Sequence, residues 1–244
     1  QDVVDIPHDL QALQAGDLDG DGDMDVVAAT RFGRHFFWIE NIDGSGRFGE
    51  PQPIGPQRSS IETIKLGDVD ADSDVDIFVH EGSELRWYEN LDGQGRFGTS
   101  HLITQGLQSY GASFDIADLD GDGDLDVVAH DRDLARVAWQ ENTDGHTFST
   151  PHVIAEDITR LHNLRAGDVD ADGRADVVYA FDDRSLRTDR IVVARNLNDQ
   201  GVFTDVDDLP HVERLSPLGM QIELEDFDLD GDVDLLYFST LGLQ

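Results

Sequence analysis

An all-β fold, a β-propeller built from four-stranded blades with about five repeats in the chain, is what the sequence predicts, on three observations. Five aspartate-rich clusters begin at Asp17, Asp68, Asp118, Asp168 and Asp226, at spacings of 51, 50, 50 and 58 residues. Each is followed by a short β-branched or apolar run, and two further strand-like segments recur behind it at matching distances. Nothing in the 244 residues sustains a 3.6-residue apolar period of helical length. Four short strands per repeat of about 50 residues is the unit of a propeller blade.

The elements follow in the same order in every repeat. An apolar stretch precedes each cluster: Leu10 to Ala15, Ile61 to Leu66, Ser113 to Ala117, Leu161 to Ala166 and Met220 to Leu224. The second strand starts directly after the cluster, as Val26-Val27-Ala28-Ala29, Ile77-Phe78-Val79, Val127-Val128-Ala129, Val177-Val178-Tyr179 and Leu235-Leu236-Tyr237-Phe238. The third reads Trp38-Ile39-Glu40-Asn41, Trp87-Tyr88-Glu89-Asn90 and Trp139-Gln140-Glu141-Asn142, with a degenerate copy at Ala194-Arg195-Asn196. A turn around Gly46-Arg47-Phe48-Gly49, Gly95-Arg96-Phe97-Gly98, Phe148-Ser149-Thr150-Pro151 or Gly201-Val202-Phe203 then leads into a fourth strand near Ile54, Ile103, Ile154 and Val206.

Composition narrows the function classes. Fifty-two acidic against 17 basic residues give a formal charge of −35, which repels nucleic acid and anionic membranes over most of the surface. Without cysteine there is no disulfide framework, thiolate metal site or cysteine nucleophile. No apolar run approaches the roughly 18 residues that span a bilayer, and Gln1-Asp2-Val3-Val4 has neither the basic nor the apolar region of an export signal. The segment is expected to be soluble.

The clusters themselves point to a cation. Five carboxylates within nine residues repel one another at neutral pH unless a divalent ion sits among them, and flexible oxygen donors suit calcium better than magnesium. In the first loop Asp17, Asp19, Asp21 and Asp25 supply carboxylates at positions 1, 3, 5 and 9, with the backbone carbonyl of Asp23 between them. The same pattern gives Asp68, Asp70, Asp72, Asp74 and Asp76; Asp118, Asp120, Asp122, Asp124 and Asp126; Asp168, Asp170, Asp172, Arg174 and Asp176; and Asp226, Asp228, Asp230, Asp232 and Asp234. Glycine at position six allows the positive φ of a tight bend. An EF-hand opens in the same way but closes on a glutamate at position twelve between helices. Position twelve here is Ala28, Val79, Ala129, Tyr179 or Tyr237, each inside an expected strand, so that reading fails in all five copies.

These residues resemble the FG-GAP or VCBS-type repeats of integrin α-subunit propellers, bacterial surface proteins and some fungal lectins. The resemblance rests on Asp-x-Asp-x-Asp-Gly-x-x-Asp, the following Val-Val strand, the Trp-x-Glu-Asn strand and the Phe-Gly-x-Pro turn. It spans residues 1–244 as one domain, with loops at 17–25, 68–76, 118–126, 168–176 and 226–234. It implies a calcium ion between the first and second strands of each blade, about five ions here, a ring usually of seven blades, and ligand binding outside the cell. The chain departs from the pattern in three places. Arg174 stands at position seven of the fourth loop, where only a backbone oxygen is needed, so that site is expected to survive with weaker local charge. Ser73 replaces the position-six glycine and is expected to adopt positive φ. Ten residues follow Asp234 and sixteen precede Asp17, fewer than the roughly 41 between loops, which leaves a five-blade ring one strand short.

Other patterns have plainer readings. Gly44 to Gly49 and Gly93 to Gly98 match G-x-G-x-x-G but recur at one point of the repeat with no helix behind them, so they read as turns. Trp38, Trp87 and Trp139 read as packing between blades, with a sugar-stacking platform as the alternative. The nine histidines share no metal-ligand spacing and read as solvated. G-x-S-x-G, H-E-x-x-H and P-loop patterns are absent. The single lysine, Lys65, beside sixteen arginines is a weak sign of a salty environment.

One feature lies outside the family pattern. With the calcium loop joining strands one and two, the loops between strands two and three lie at the opposite end of each blade. They carry Arg31, Arg34, Arg132, Arg136, Arg184, Arg187 and Arg190, seven of sixteen arginines. Guanidinium forks suit carboxylate or sulfate groups, so this face is a candidate for an anionic ligand, against the plainer reading that it neutralises Asp133, Asp182 and Asp183.

The expected function is therefore that of a secreted or cell-surface binding and adhesion module, stabilised by calcium and recognising a glycan or protein ligand, with no enzyme activity. The rivals are a polysaccharide lyase or hydrolase on the same scaffold, or its accessory propeller, and an architectural spacer of a surface protein. Two carboxylates in a cleft outside the five loops would favour the enzyme.

Overall fold

A computed structural model describes residues 9–31, 35–55, 60–107, 114–183, 188–198, 200–208, 220–229 and 233–239, with only the backbone of 205–208, 220, 238 and 239 described. Among them every regular element is a strand, eighteen in all. β1 (Leu10–Gly16), β2 (Asp25–Thr30), β3 (Phe36–Ile39) and β4 (Gln52–Pro53) form one antiparallel sheet in chain order, and β5 (Ile61–Gly67), β6 (Asp76–Glu81), β7 (Glu84–Tyr88) and β8 (His101–Gln105) form the next. The same order repeats in β9 (Phe114–Ala117), β10 (Asp126–Asp131), β11 (Arg136–Gln140) and β12 (His152–Ala155), and in β13 (Leu161–Gly167), β14 (Asp176–Asp183), β15 (Thr188–Asn196) and β16 (Phe203–Asp208). β17 (Met220–Glu225) pairs with β18 (Asp234–Ser239) as part of a fifth. These are β-propeller blades. The chain divides into two compact units at residue 109, the first with two blades, the second with two and the fifth pair.

The run of apolar residues after each of the first four clusters becomes the second strand because that strand is buried along nearly its whole length, which removes the polar alternation of a half-exposed strand; in β18 Leu236 and Tyr237 stay exposed. In β14, Val177, Tyr179 and Phe181 pack with Leu119, Val128, Val137, Trp139 and Ile158 of the third blade. The intervening Val178 and Ala180 join Ile191, Val193 and Ile222 on the other side. In the first unit Val27, Ala29, Phe36, Trp38 and Ile54 meet Ile61, Ile64, Ile77, Val79 and Tyr88 of the second blade. Burying a side chain of this size contributes about 1.5 to 3 kcal/mol, so the seams between blades hold each unit together.

Trp38 and Trp139 sit in those seams, whereas Trp87 is buried and stacks on His101 of its own blade at 4.8 Å. A Cβ on Gly95 would lie 2.2 Å from the Trp38 ring, and one on Gly201 would lie 2.0 Å from the Trp139 ring. Each indole thus closes directly on the glycine turn before the last strand of the following blade. Gly95 has φ +75° and Gly201 +61°, where a side chain is also strained. Gly95→Ala and Gly201→Ala are each expected to cost about 2 to 3 kcal/mol, read as a lower urea midpoint at unchanged slope.

Two histidines correct the solvated reading. His80 in β6 and His130 in β10 are fully buried. Burial pushes the His80 imidazole down to about 4 and lowers His130 as well, against its hydrogen bond to Ile158. The His130 Nε2–H donates to the Ile158 carbonyl at 2.7 Å. Both rings lie four residues after a position-nine aspartate, in strands covered on both faces, where charge is costly. Periodicity alone does not mark them, because a histidine within an apolar run is read by its polarity.

Candidate metal centre

Each cluster forms the loop from the end of a blade's first strand to the start of its second, and its shape comes from its own carboxylates. Position one bends the loop. Asp17 accepts from the N–H groups of Gly20 at 2.9 Å and Gly22 at 3.0 Å, and Asp118 from Gly121 at 2.7 Å and Gly123 at 3.1 Å. Asp68 and Asp168 accept from positions five and six instead. Position five accepts from the N–H of position seven in all four loops.

Position nine is a pin. Asp25 accepts from Leu18 N–H at 3.0 Å with one oxygen and from Asn41 N–H at 2.7 Å with the other. Asp76 does the same with Val69 and Asn90, Asp126 with Leu119 and Asn142, and Asp176 with Val169 and Asn196. One buried side chain thereby ties the loop's start to the end of the third strand. The asparagine continues the chain of contacts: the Asn90 amide donates to the Leu18 carbonyl of the preceding blade, and the Asn196 amide to Leu119, each at 2.8 Å. Sequence reasoning missed this role of the asparagine, although its recurrence in Trp-x-Glu-Asn is a signal that could have found it.

Two residues of each of the first four loops take the left-handed conformation, and one described residue of the fifth does. Position six does so as expected, at Gly22, Gly123, Gly173 and Ser73, the last with φ 77°. Position four does so as well, as glycine in two loops and as Ala71, Ala171 and Leu229, with φ 60°, 58° and 62°, in the others. Ser73→Gly relieves a strained side chain at the cost of extra freedom in the unfolded chain, so it is expected to gain about 0.5 to 1 kcal/mol by chemical denaturation.

The donor set fits a hard divalent cation. One carboxylate oxygen from each of Asp17, Asp19 and Asp25 lies within 4.8 Å of the others, and the same holds for Asp68, Asp70 and Asp76, for Asp118, Asp120 and Asp122, and for Asp168, Asp170 and Asp176. Oxygens about 2.4 Å from one ion are separated by no more than about 4.8 Å, so each triad is close enough to share one. The electrostatics agree. Burial raises the carboxyls of Asp19, Asp25 and Asp176, and of Asp76 and Asp126 to about 7, with neighbouring loop aspartates adding to the rise. Charge of one sign is concentrated at a point where a cation would be favoured.

The other expected ligands are placed less uniformly. Position seven is not part of the triads, and in the first two loops its carboxylate lies against a glycine of the following turn: a Cβ on Gly44 or Gly93 would meet Asp23 or Asp74. In the fourth loop Arg174 donates to the carboxylate of Asp172 and, through Nε at 3.0 Å, to the Asn196 carbonyl. In the fifth, Asp234 accepts from Phe227 N–H at 3.1 Å, while Asp230 and Asp232 lie outside the described residues.

At the opposite end of the blades, Arg136 pairs with Asp131 at 3.2 Å. Arg190 pairs with Asp183 at 3.3 Å and lies 5.5 Å from the centre of the Phe181 ring. Arg31 and Arg132 are exposed, and Arg34, Arg184 and Arg187 lie outside the described residues. Beside Arg190 a groove of about 830 Å³ runs between β12 and the β14–β15 pair. Tyr179 and Phe181, both buried in the core, lie beneath it, and Glu156, Asp157, Asp182 and Asp183 contribute carboxylates. Asp182 also pairs with Arg160 at 3.3 Å. No local pattern in the sequence signals the groove, because residues of two neighbouring blades make it.

Four-stranded blades carrying a carboxylate loop between their first two strands define a repeat β-propeller protein. The chain belongs to the FG-GAP-like repeat family, whose model matches residues 17–79, 68–129, 118–179 and 168–237. No curated protein matches it. Among solved structures it is similar to an Agrocybe aegerita lectin described for specific recognition of non-reducing terminal N-acetylglucosamine, with a TM-score of 0.68 and 20% identity over 93% of this chain. The chain spans 60% of that lectin's length. It is also similar to BBS1N in a complex with ARL6DN, with a TM-score of 0.51 and 15% identity over 82% of this chain and 56% of the other. The catalytic domain of a Coprinopsis cinerea GH62 α-L-arabinofuranosidase matches with a TM-score of 0.52 and 10% identity, over 85% and 71%. At these identities the likeness is one of fold.

Proposed function

We propose that the chain is a calcium-stabilised recognition module of a secreted or cell-surface protein, binding a glycan or protein ligand without chemistry of its own. The observation that carries the reading is the repeated carboxylate triad, which concentrates cation ligands at turns between strands. A cation there fixes the blade and leaves the other end of the blades for partners. When bound, calcium would supply charge neutralisation and a fixed loop shape. The carboxylates at positions one, three, five and nine would hold it, while Asp25 and its counterparts keep their backbone contacts. About five such loops are available. The acidic surface leaves nucleic acid and membrane insertion out of the proposal.

For the ligand, the groove beside Arg190 is the candidate surface, since a concave site with a few oriented polar groups suits a sugar ring. The lectin's recognition of terminal N-acetylglucosamine makes glycans ending in that sugar the first probes. A glycan array with the calcium-loaded protein is expected to show binding that Arg190→Ala weakens. Binding that survives that change but is lost in Arg132→Ala/Arg136→Ala would move the ligand onto the arginine-bearing hairpins. No binding to any glycan would leave a protein ligand or a spacer role.

The enzyme reading draws on one specific observation, the carboxylates Glu156, Asp157, Asp182 and Asp183 within the same groove. Asp182 and Asp183 are each engaged by an arginine, which suits fixed charge better than proton transfer. Release of reducing ends from polysaccharides, abolished by Glu156→Gln, would establish the enzyme.

A further inference from the structure

The fourth loop differs from the first three by two reversals of charge, and both arginines point at its carboxylates. Alignment is fixed by the asparagine whose N–H reaches position nine in all four blades, namely Asn41, Asn90, Asn142 and Asn196. On that register Arg174 stands where the other blades have Asp23, Asp74 and Asp124, and Arg195 where they have Glu40, Glu89 and Glu141. Arg195 Nη1 lies 3.0 Å from Asp170 at position three. Arg174 reaches Asp172 at position five and is held by the Asn196 carbonyl. Position three and position five, two of the four side-chain ligands, are therefore each engaged by a guanidinium. In the third loop the corresponding glutamate acts in the opposite sense, since Glu141 helps to raise the Asp120 carboxyl after burial and Asp122.

We infer that the fourth loop is closed by its own arginines and keeps its shape without calcium, so that it is a metal-independent turn in an otherwise calcium-dependent series. The inference rests on the calcium reading of the other loops. Its physical basis is that two fixed positive charges neutralise half of the loop's four carboxylates, and that a cation entering there must both displace a guanidinium and be repelled by it. The remaining contacts shape the loop without metal: Asp168 bonds Asp172 and Gly173 N–H, and Asp176 bonds Val169 and Asn196 N–H. Calcium affinity at this loop is expected to be about a hundredfold or more below that of the first three.

Hydrogen exchange read by mass spectrometry on the whole chain, in 10 mM calcium and in chelator, tests this loop by loop. Peptides covering 17–25, 68–76 and 118–126 are expected to lose protection on chelation, whereas 168–176 exchanges at the same rate in both, within about twofold. A fourth loop that gains protection with calcium as the others do overturns the inference and leaves the calcium reading standing. If no loop responds, the calcium reading fails and the inference with it, a different pattern. As a second test, Arg174→Asp/Arg195→Glu is expected to bind one more calcium than the unsubstituted protein by calorimetric titration. An unchanged non-zero count in a folded variant overturns the inference, and the exchange experiment decides it without any substitution if that variant does not fold.

Discussion

Withdrawing calcium is expected to lower the melting temperature by 10 °C or more, and to bring the protein close to its unfolding threshold at room temperature. A site holding its ion at a free concentration a hundredfold above the dissociation constant stabilises the fold by about 2.7 kcal/mol. The first three loops alone then contribute about 8 kcal/mol, the size of a typical domain's whole stability. Sites of extracellular type bind at about 0.1 to 1 mM, so the comparison belongs at 10 mM calcium against excess chelator, by calorimetry with the bound metal counted. Equal melting temperatures in the two would remove the metal from the account of this fold.

The pH dependence of the same comparison has a definite sign. Asp76 and Asp126 are held up to about 7 by burial, above the ordinary carboxyl near 4. The chelated folded protein therefore binds protons there that the unfolded chain does not. Its stability rises as pH falls through 7 toward 4 and is lost again as pH rises through 7. A bound ion keeps these carboxylates charged and abolishes the gain. His80, pushed down to about 4, acts in the opposite direction between about 6.5 and 4. It does so with and without metal, so it cancels in the difference between the two curves. The calcium effect on stability is thus expected to shrink steadily from pH 8 to pH 5.

Asp25→Ala is expected to be the most damaging single substitution in the first loop, and to damage the protein even in chelator. It removes the acceptor for two buried N–H groups, those of Leu18 and Asn41, and each buried donor left unpaired costs about 1 to 3 kcal/mol. Burial raises the Asp25 carboxyl, so deleting the charge recovers part of that loss in the metal-free protein. About 2 kcal/mol is expected there, and about 5 kcal/mol in calcium, where a ligand is lost as well. Asp19→Asn is the control. Asp19 accepts only a long 3.4 Å contact from Asp21 within the loop, so its effect is expected in calcium and not in chelator. If the two substitutions behave alike in both conditions, position nine is a ligand and nothing more.

Much of this was legible before the structure. Asp17, Asp68, Asp118, Asp168 and Asp226 mark loops that the structure places between first and second strands, and Val177-Val178-Tyr179 marks a strand covered on both faces. Ser73 takes the positive φ that its place in the repeat required. Each of these is set by residues adjacent in sequence, and comparison between copies separates the repeating signal from chance. What stayed illegible depends on contacts across roughly 15 to 80 residues. The carboxylate of Asp25 looks like one more ligand until its bond to Asn41 is seen. His80 looks solvated until both faces of β6 are covered, and the groove beside Arg190 exists only where two blades meet.

The sequence by itself determined the blade, its four strands, the loop between the first two and the family, because a near 50-residue repeat states the same local instructions several times over. Tertiary structure decided which groups act together. It put Trp38 and Trp139 against glycines of the next blade, made position nine a structural pin, and turned Arg174 and Arg195 onto the aspartates of the fourth loop. The reason is that hydrogen bonds and ion pairs act over about 3 Å, and distance along the chain says little about which side chains a packed seam brings that close.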